Sequence, residues 1–147
     1  MSRIAKRPPD ALVHIVADRW TEPFWAAVAQ DRLTCAQCGN CGRFRMPPSP
    51  FCPHCRSQEL DWPALPGTGT IYSFTVVERA VLPGSEDSIP YVAAVIAIDG
   101  AEPARLISNI VDSDVDAIRI GAAVRVVFDH LPDGQSVPRF VLSEDRA

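Results

Sequence analysis

Lysine is nearly absent from this chain of 147 residues, in which Lys6 is the only one, and the formal net charge is −4. Proteins that bind nucleic acid without sequence preference need many lysines and arginines, because these side chains displace the counterions condensed on phosphates. The sequence therefore disfavours such a role. It also contains no run of about 18 apolar residues, the length that a membrane-spanning helix needs.

The first residues lack the uninterrupted apolar segment of a secretory signal peptide. We therefore expect a cytoplasmic protein in a reducing compartment, where free thiolates are available to hold a metal. Hydrophobic residues make up 47% of the chain and charged residues 22%, which is the composition of a globular protein with one modest core.

Histidine is scarce as well. His14, His54 and His130 are scattered along the chain, and none falls in a recognisable nucleophile motif. The alternating acidic residues at 112–116 do not form a calcium loop of the EF-hand type, because Ala117 stands where the loop requires glycine. We therefore expect this chain to bind something, without catalysis by the chain alone.

What the sequence does contain is a cluster of five cysteines between residues 35 and 55. Cys38-x-x-Cys41 and Cys52-x-x-Cys55 are two hooks, separated by ten residues, that point four thiolates at one tetrahedral ion. Zinc fits best, because thiolates are soft donors and zinc has no geometric preference of its own. Cys35 forms an overlapping hook with Cys38, so the first pair is Cys35/Cys38 or Cys38/Cys41. Spacing alone does not decide between them.

Other interpretations of the cysteine segment are weaker. His54 would have to displace a thiolate to bind the ion, and is more simply a solvated spacer. Disulfides are disfavoured by the odd cysteine count and the missing signal peptide. A redox dithiol uses one C-x-x-C pair and not two facing pairs. Because the segment is too small for a core of its own, the metal must supply most of its folding free energy.

The segment before the cysteines predicts a helix from about residue 22 to about residue 31. Thr21 is suited to cap it, and Pro23 is tolerated in the first turn, where the backbone amide has no acceptor in the helix. Phe24 and Trp25 begin its apolar face. Both side chains pack in a core or, alternatively, form a partner interface, where such residues are enriched. The shorter apolar run that precedes the helix is not assigned.

From residue 67 onward the pattern is typical of short strands. The predicted strands span residues 69–78, 91–98, 104–110, 124–128 and 140–142. Period-two alternation in the first of them places Tyr72, Phe74 and Val76 on one face. A helical turn at 112–121 lies between the third and fourth strands. Five strands with this insertion predict an OB-fold barrel.

The sequence thus predicts a mainly β protein in three parts. An N-terminal arm and helix occupy residues 1–33, a rubredoxin-like four-cysteine zinc ribbon residues 34–62, and a five-stranded OB-fold barrel residues 63–147.

The order of these parts resembles the acyl-CoA-associated zinc-ribbon/OB-fold proteins, over residues 20–143. The motifs that carry the resemblance are Arg32-Leu33, Cys38-x-x-Cys41-Gly-Arg, Pro47-Pro48, Cys52-Pro-x-Cys55, Gly67-x-Gly69-Thr70-x-Tyr72-Ser73-x-Thr75, Pro90-Tyr91 and Gly121-x-x-Val124. The register of that family leaves Cys35 outside the site. It implies structural Zn²⁺ held by Cys38, Cys41, Cys52 and Cys55.

The resemblance also implies a function. Such proteins are accessory subunits of thiolase-like enzymes, including retro-aldolases of steroid side chains, or of enoyl-CoA hydratases. They help to form or shield an acyl-CoA channel at the shared interface. We expect such a partner here, and neither nucleic acid nor a membrane.

Two surfaces are candidates for ligand contact: the loop at residues 80–89, a common OB recognition loop, and the junction of ribbon and barrel at 44–48. Arg43, Arg45 or Arg79 would pair with a CoA phosphate, because guanidinium groups match phosphate oxygens. The alternative for each is a solvated arginine or a local ion pair. Two other functions stay open: a nucleic-acid-binding zinc-ribbon/OB module, and a rubredoxin-like electron carrier with iron.

Overall fold

The computed structural model describes residues 3–143 and consists mostly of strands. One α-helix precedes a three-stranded sheet and a closed five-stranded barrel, so the predicted fold class is confirmed. The elements are α1 (Glu22–Ala29), β1 (Ala36–Cys38), β2 (Phe44–Arg45), β3 (Leu60–Asp61), β4 (Thr68–Val77), β5 (Tyr91–Ile98), β6 (Arg105–Ile110), β7 (Ala123–His130) and β8 (Ser136–Leu142). Short 3₁₀ turns lie at Asp10–Leu12, Glu86–Ser88 and Val115–Ala117.

Helix α1 begins where the sequence predicts, but the role of Thr21 differs. Its side chain makes no capping hydrogen bond to the helix. Instead, Thr21 Oγ1 accepts the backbone N–H of Asp18 at 3.1 Å, and Asp18 Oδ1 accepts the backbone N–H groups of Trp20 and Thr21 at 2.9 Å. The prediction of a side-chain cap is therefore wrong. The helix also ends two residues before Asp31, whose φ of 59° is not helical.

The ribbon is a small antiparallel sheet in the order β2-β1-β3. Its strands are only two or three residues long, so backbone pairing contributes few hydrogen bonds. The loops between the strands carry the two cysteine hooks. The sheet therefore serves chiefly to hold those loops side by side.

The barrel has the strand order β4-β5-β6-β8-β7 and closes through pairing of β4 with β7. All neighbours are antiparallel except β6 and β8, which pair in parallel at Ile110 and Phe140. Alternate residues of β5 point into the barrel, where Val92, Ile96 and Ile98 are buried with the side chain of Phe140. These side chains form the centre of the core.

The prediction that Tyr72 lies on the same face of β4 as Phe74 and Val76 is wrong. A β-bulge interrupts the pairing of β4 with β5 between Ile71 and Ser73. The extra residue shifts the alternation, so Ile71 is buried, Tyr72 is 51% exposed, and Phe74 and Val76 pack against the core. Tyr72 therefore does not lie on the same face of β4 as Phe74 and Val76.

The N-terminal arm, which the sequence leaves unassigned, runs along the barrel. Ala5 donates its backbone N–H to Ser113 O at 2.8 Å and accepts that of Asp112 at 2.9 Å. Lys6 donates to Pro90 O at 2.8 Å. Ala5 is buried, so the arm adds to the barrel wall. Within residues 3–143 no helix has the length and apolar character needed to cross a membrane.

Candidate metal centre and adjoining groove

Four cysteine sulfurs meet at the tip of the ribbon. The Sγ atoms of Cys38, Cys41, Cys52 and Cys55 all lie within 4.8 Å of one another. Cys38 and Cys55 are 3.5 Å apart and Cys41 and Cys52 are 3.6 Å apart. In a tetrahedral site with metal–sulfur bonds of about 2.3 Å, sulfurs are separated by about 3.8 Å. The four sulfurs therefore lie at a spacing that suits one metal ion.

The two hooks share one backbone geometry. In the first, Gly42 donates its N–H to Cys38 O at 3.0 Å; in the second, Arg56 donates to Cys52 O at 2.8 Å. Each hook ends at a residue with positive φ, 81° at Gly42 and 68° at Arg56. This backbone conformation is the one that glycine adopts at little cost. The repeated turn aims both pairs of sulfurs inward.

The sulfurs differ in acidity. Hydrogen bonding, chiefly from the backbone N–H of Cys41, lowers the pKa of Cys38 to about 6. The N–H of Arg43 acts in the same direction on Cys41, but desolvation and the neighbouring sulfurs overcome it and raise the pKa of Cys41 to about 11. Four thiolates at this spacing repel one another unless a cation lies between them. The donor set thus fits a metal and is poorly suited to remain ionised without one.

Cys35 and His54 lie outside this group. Cys35 is fully buried beside the core, with its Sγ directed at backbone carbonyls of Ala36 and Arg45, and burial raises its pKa to about 11. His54 meets the site only through its backbone N–H, which donates to Cys52 Sγ at 3.4 Å. The four-sulfur group therefore contains Cys38 and Cys41 and leaves out Cys35.

A groove of about 720 Å³ opens beside the ribbon, where the arm, α1, the segment after β2 and the strands β6 and β8 meet. Its walls are mostly apolar. Representative side chains, one or two from each element, are Val13, Trp25, Met46, Pro47, Leu106 and Val137. The groove therefore offers a mostly apolar binding surface to a ligand.

Two polar side chains that line the groove, Asn109 of β6 and Arg139 of β8, belong to a hydrogen-bonded cluster that extends to Asp129 of β7 and to the arm. Arg139 is 5% exposed and donates from Nε to Asp129 Oδ2 at 3.2 Å and from Nη1 to Asn109 Oδ1. Arg7 of the arm donates to the same Asp129 oxygen at 2.7 Å and to both oxygens of Asp112. Burial lowers the pKa of Arg139, and Asp129 opposes that shift. Sequence patterns give no signal for this cluster, because its members are far apart in the chain.

The two aromatic residues predicted for a partner interface have different surroundings. Trp25 is half-buried and lines the groove. Phe24 also borders it but is only 5% exposed, and its ring meets that of Trp25 edge to face at a centroid distance of 5.1 Å. Phe24 therefore supports Trp25 from within the core.

The arginines predicted for CoA contact are not all together. Arg43 and Arg45 border a pocket of about 290 Å³ on the ribbon, together with His54. Arg45 is 9% exposed and donates from Nε and Nη2 to Ser49 O at 3.1 and 2.8 Å. Arg79 is exposed after β4 and lines neither this pocket nor the groove.

A histidine that the sequence leaves without a role connects helix and barrel. His130 meets Asp31 Oδ1 through Nε2 at 2.6 Å and Ser136 Oγ through Nδ1 at 2.7 Å. The side chains of His130 and Asp31 are 49% and 64% exposed. A site this open to water does not shield a reacting group. The three residues instead hold the end of α1 against the β7–β8 hairpin.

A four-cysteine ribbon followed by a closed OB barrel defines the zinc-ribbon/OB-fold class of proteins. Two family models match this chain: the rubredoxin-like zinc ribbon domain of ChsH2 at residues 25–61, and its C-terminal OB-fold domain at residues 62–129. The chain therefore belongs to the ChsH2 zinc-ribbon/OB-fold family, and the resemblance stated from the sequence is confirmed.

Three relatives illustrate the range of the family. A "probable enoyl-CoA hydratase alpha subunit" of Thermomonospora curvata is 37% identical over 81% of this chain, which spans only 36% of that protein. A "DUF35 domain-containing scaffold protein" of Methanothermobacter thermautotrophicus is 37% identical over 71% of this chain and 77% of its own length. A solved "Ltp2-ChsH2(DUF35) aldolase" superposes with a TM-score of 0.78 at 31% identity, covering 88% of this chain and 98% of the other.

Proposed function

We propose that this chain is a non-catalytic accessory subunit that binds an aldolase or hydratase enzyme and helps to form its acyl-CoA channel. The observation that carries the proposal is the likeness to a chain of the aldolase, which extends over 98% of that chain. The hydratase relative supports an acyl-CoA substrate, because its name refers to a CoA ester. The words "alpha subunit" in that name imply at least one further subunit.

The proposed resident metal is zinc, in a structural role. Four thiolates saturate a tetrahedral ion and leave no position for water, so the site would stabilise the ribbon without taking part in a reaction. Elemental analysis of the protein purified without added metal should find about one zinc per chain. Iron with a reversible reduction potential would favour an electron carrier instead.

The groove is the proposed place for the acyl group. Its volume of about 720 Å³ is in the range typical of small-molecule sites, which are concave and mostly apolar. Arg43 and Arg45 lie on the ribbon side, and Arg45 keeps Nη1 without a hydrogen-bond partner among the described residues. That arrangement supports contact of the phosphates of CoA with the ribbon while the acyl group occupies the groove.

The proposed docking surface for the enzyme subunit is the rim of the groove on β6. Ile107 is 78% exposed there and borders both the groove and a shallow depression over β4 and β5. Tyr72 is 51% exposed nearby, under the guanidinium of Arg105, 3.7 Å from the ring centroid. An exposed apolar surface that continues into the groove suits a partner that closes over both.

The experiment is affinity purification of the tagged chain from its source cells, followed by mass spectrometry. We expect an aldolase or hydratase subunit to co-purify. Ile107→Asp should reduce its recovery at least about tenfold, because a buried carboxylate at an interface loses its hydration. Ile120→Asp is the matched control, since Ile120 is 69% exposed and does not line the groove.

The proposal fails if the chain purifies without an enzyme of either kind, or if both variants retain the partner equally. Tight, salt-sensitive binding of single-stranded RNA would favour the nucleic-acid-binding alternative.

A further inference from the structure

The arm contains an extended segment, residues 13–17, between the 3₁₀ turn at Asp10–Leu12 and helix α1. Val13 has φ −88° and ψ 116°, which is strand geometry. Val13 and Ile15 are half-buried, whereas the residues on either side of each are exposed. Because successive side chains of a strand point to opposite faces, this alternation shows a strand-like segment with one face on the barrel.

One edge of segment 13–17 is held by a side chain in place of a strand. Gln135 Nε2 donates to Val13 O at 3.0 Å, and Gln135 Oε1 accepts the N–H of Ile15 at 2.9 Å. The same Nε2 donates to Asp133 Oδ2 at 2.6 Å, which fixes the orientation of the amide. The side-chain amide therefore pairs with this edge as the peptide group of a neighbouring strand would.

The opposite edge of the segment is unpaired. In an extended chain the backbone groups of alternate residues face opposite edges, so those of His14 and Val16 face away from Gln135. Within residues 3–143 the N–H and C=O groups of His14 and Val16 have no hydrogen-bond partner. Val16 is also 90% exposed. Free donors and acceptors at strand spacing, beside an exposed β-branched side chain, are the features by which a sheet edge binds a further strand.

The position and charge of the segment indicate which strand it fits. Val13 and Ile107 both line the groove, so a protein that covers the groove from Ile107 reaches the segment. A second copy of this chain fits poorly. Antiparallel pairing of two segments about His14 would bring Asp10 of each copy towards Asp18 of the other, and both residues are exposed. The edge therefore suits a strand of a different protein, with basic residues near its ends.

We propose that segment 13–17 binds an edge strand of the enzyme subunit by β-sheet extension, through backbone hydrogen bonds to His14 and Val16. The inference rests on the proposed function and adds to it the kind of contact that the partner makes. The partner strand is exposed in the free enzyme subunit and carries lysine or arginine near its ends. The arm is thereby a second attachment point in addition to Ile107, and the enzyme subunit covers the groove between them.

Val16→Pro tests the backbone contact directly. Proline has no N–H, and it favours extended geometry at the preceding residue, as the arm requires. The N–H of Val16 makes no hydrogen bond within residues 3–143, so the free variant should remain folded. Calorimetric titration with the purified enzyme subunit that wild type captures should show at least about tenfold weaker binding.

Val16→Thr is the matched control. Threonine is β-branched like valine and keeps the backbone N–H, so the backbone contact is preserved. Its binding to the same enzyme subunit should differ from that of wild type by less than about threefold. The contrast between proline and threonine separates a backbone contact from a side-chain contact.

Hydrogen exchange in the wild-type complex is a second measurement that needs no variant. The amides of His14 and Val16 should exchange at least about tenfold more slowly in the complex than in the free chain. The amide of Ala17 faces the other edge, so its exchange rate should be unchanged. General burial of the segment would instead slow exchange at all three amides.

Three results would overturn the inference. In the first, Val16→Pro binds the enzyme subunit as tightly as Val16→Thr. In the second, the complex protects all three amides or leaves His14 and Val16 unprotected. In the third, the free chain dimerises with protection of His14 and Val16, which would assign the edge to a second copy. If the enzyme subunit co-purifies while any of these results holds, only the added strand is wrong. If no enzyme subunit co-purifies, the accessory function fails and this inference fails with it.

Discussion

The ribbon and the barrel are stabilised in different ways. The ribbon strands have three, two and two residues, whereas those of the barrel have ten, eight, six, eight and seven. The barrel encloses large side chains such as Ile96 and Phe140, which are fully buried. The ribbon instead gathers Cys38 and Cys52 around a metal position. We therefore expect the ribbon to depend on a bound ion, whereas the barrel depends on removal of apolar surface from water.

The two parts are nevertheless joined at their base. Thr34 forms a β-bridge with Ala64, and Leu65 donates its N–H to Leu33 O at 2.9 Å. Cys35 and Phe44 reach the barrel core, and α1 packs on β8. The cysteine loops at the far end of the ribbon should therefore unfold before the ribbon separates from the barrel.

Metal removal is expected to separate the two regions most clearly. Structural zinc contributes about 10–16 kcal/mol of binding free energy in small ribbons. A strong chelator should therefore abolish hydrogen-exchange protection of Gly39 and Gly42, whose amides pair within the ribbon, and leave the protection of β5 largely intact. Cys35→Ala is the control and should retain the metal, because Cys35 is outside the four-sulfur group. Simultaneous unfolding of ribbon and barrel on metal removal would contradict the view that only the ribbon depends on the metal.

Phe140→Ala should have the converse effect. Its side chain is fully buried at the centre of the barrel, and removal of such a ring costs about 3–5 kcal/mol. Urea denaturation should show this loss, while the folded variant still binds one metal per chain. A variant that folds normally but binds no metal would show that metal binding by the ribbon depends on packing in the barrel.

Arg7→Gln tests how the arm stabilises the barrel. The substitution removes the hydrogen bonds to Asp112 and Asp129, for an expected loss of about 1–2 kcal/mol at neutral pH after allowance for solvent screening. Asp129 remains paired with Arg139. Urea denaturation of both proteins across pH 3–7 measures the difference at each pH.

The pH dependence of the Arg7→Gln effect follows from the pKa of Asp112. Hydrogen bonds from Arg7 lower the pKa of this carboxyl below its ordinary 3.8 in the folded protein. Its stabilisation is therefore present above that ordinary value and is lost as the pH falls through the lower, folded value. The difference in free energy of unfolding between wild type and Arg7→Gln should become smaller below about pH 4. A difference that becomes larger in acid would exclude the ion pair as its source.

The smallest effect is expected for the exposed pair on the barrel surface. Arg105→Gln removes the cation over the ring of Tyr72, and exposed contacts of this kind contribute about 0.5–1 kcal/mol. Thermal unfolding should therefore shift by only a few degrees. A loss comparable to that of Phe140→Ala would mean that the outer face contributes to stability as much as the core does.

The elements that the sequence predicts well are those encoded by local spacing. The two hooks and the alternating strand at Tyr91–Ile98 depend on neighbours within a few residues. Period-two alternation misplaces Tyr72, because it assumes regular pairing and only the partner strand reveals the bulge. The last strand begins at Ser136, four residues before its predicted start at 140, although it contains Pro138, which has no N–H to donate to a sheet.

Local spacing is enough to predict four thiolates for one metal and a barrel after them, because hooks and alternation are properties of adjacent residues. Only the packed fold places Cys35 in the core and Cys41 at the metal position. It also decided that Arg7, Asn109, Asp129 and Arg139 meet under the arm. The physical reason is that burial and charge pairing depend on which distant segments pack together, and no local pattern encodes that.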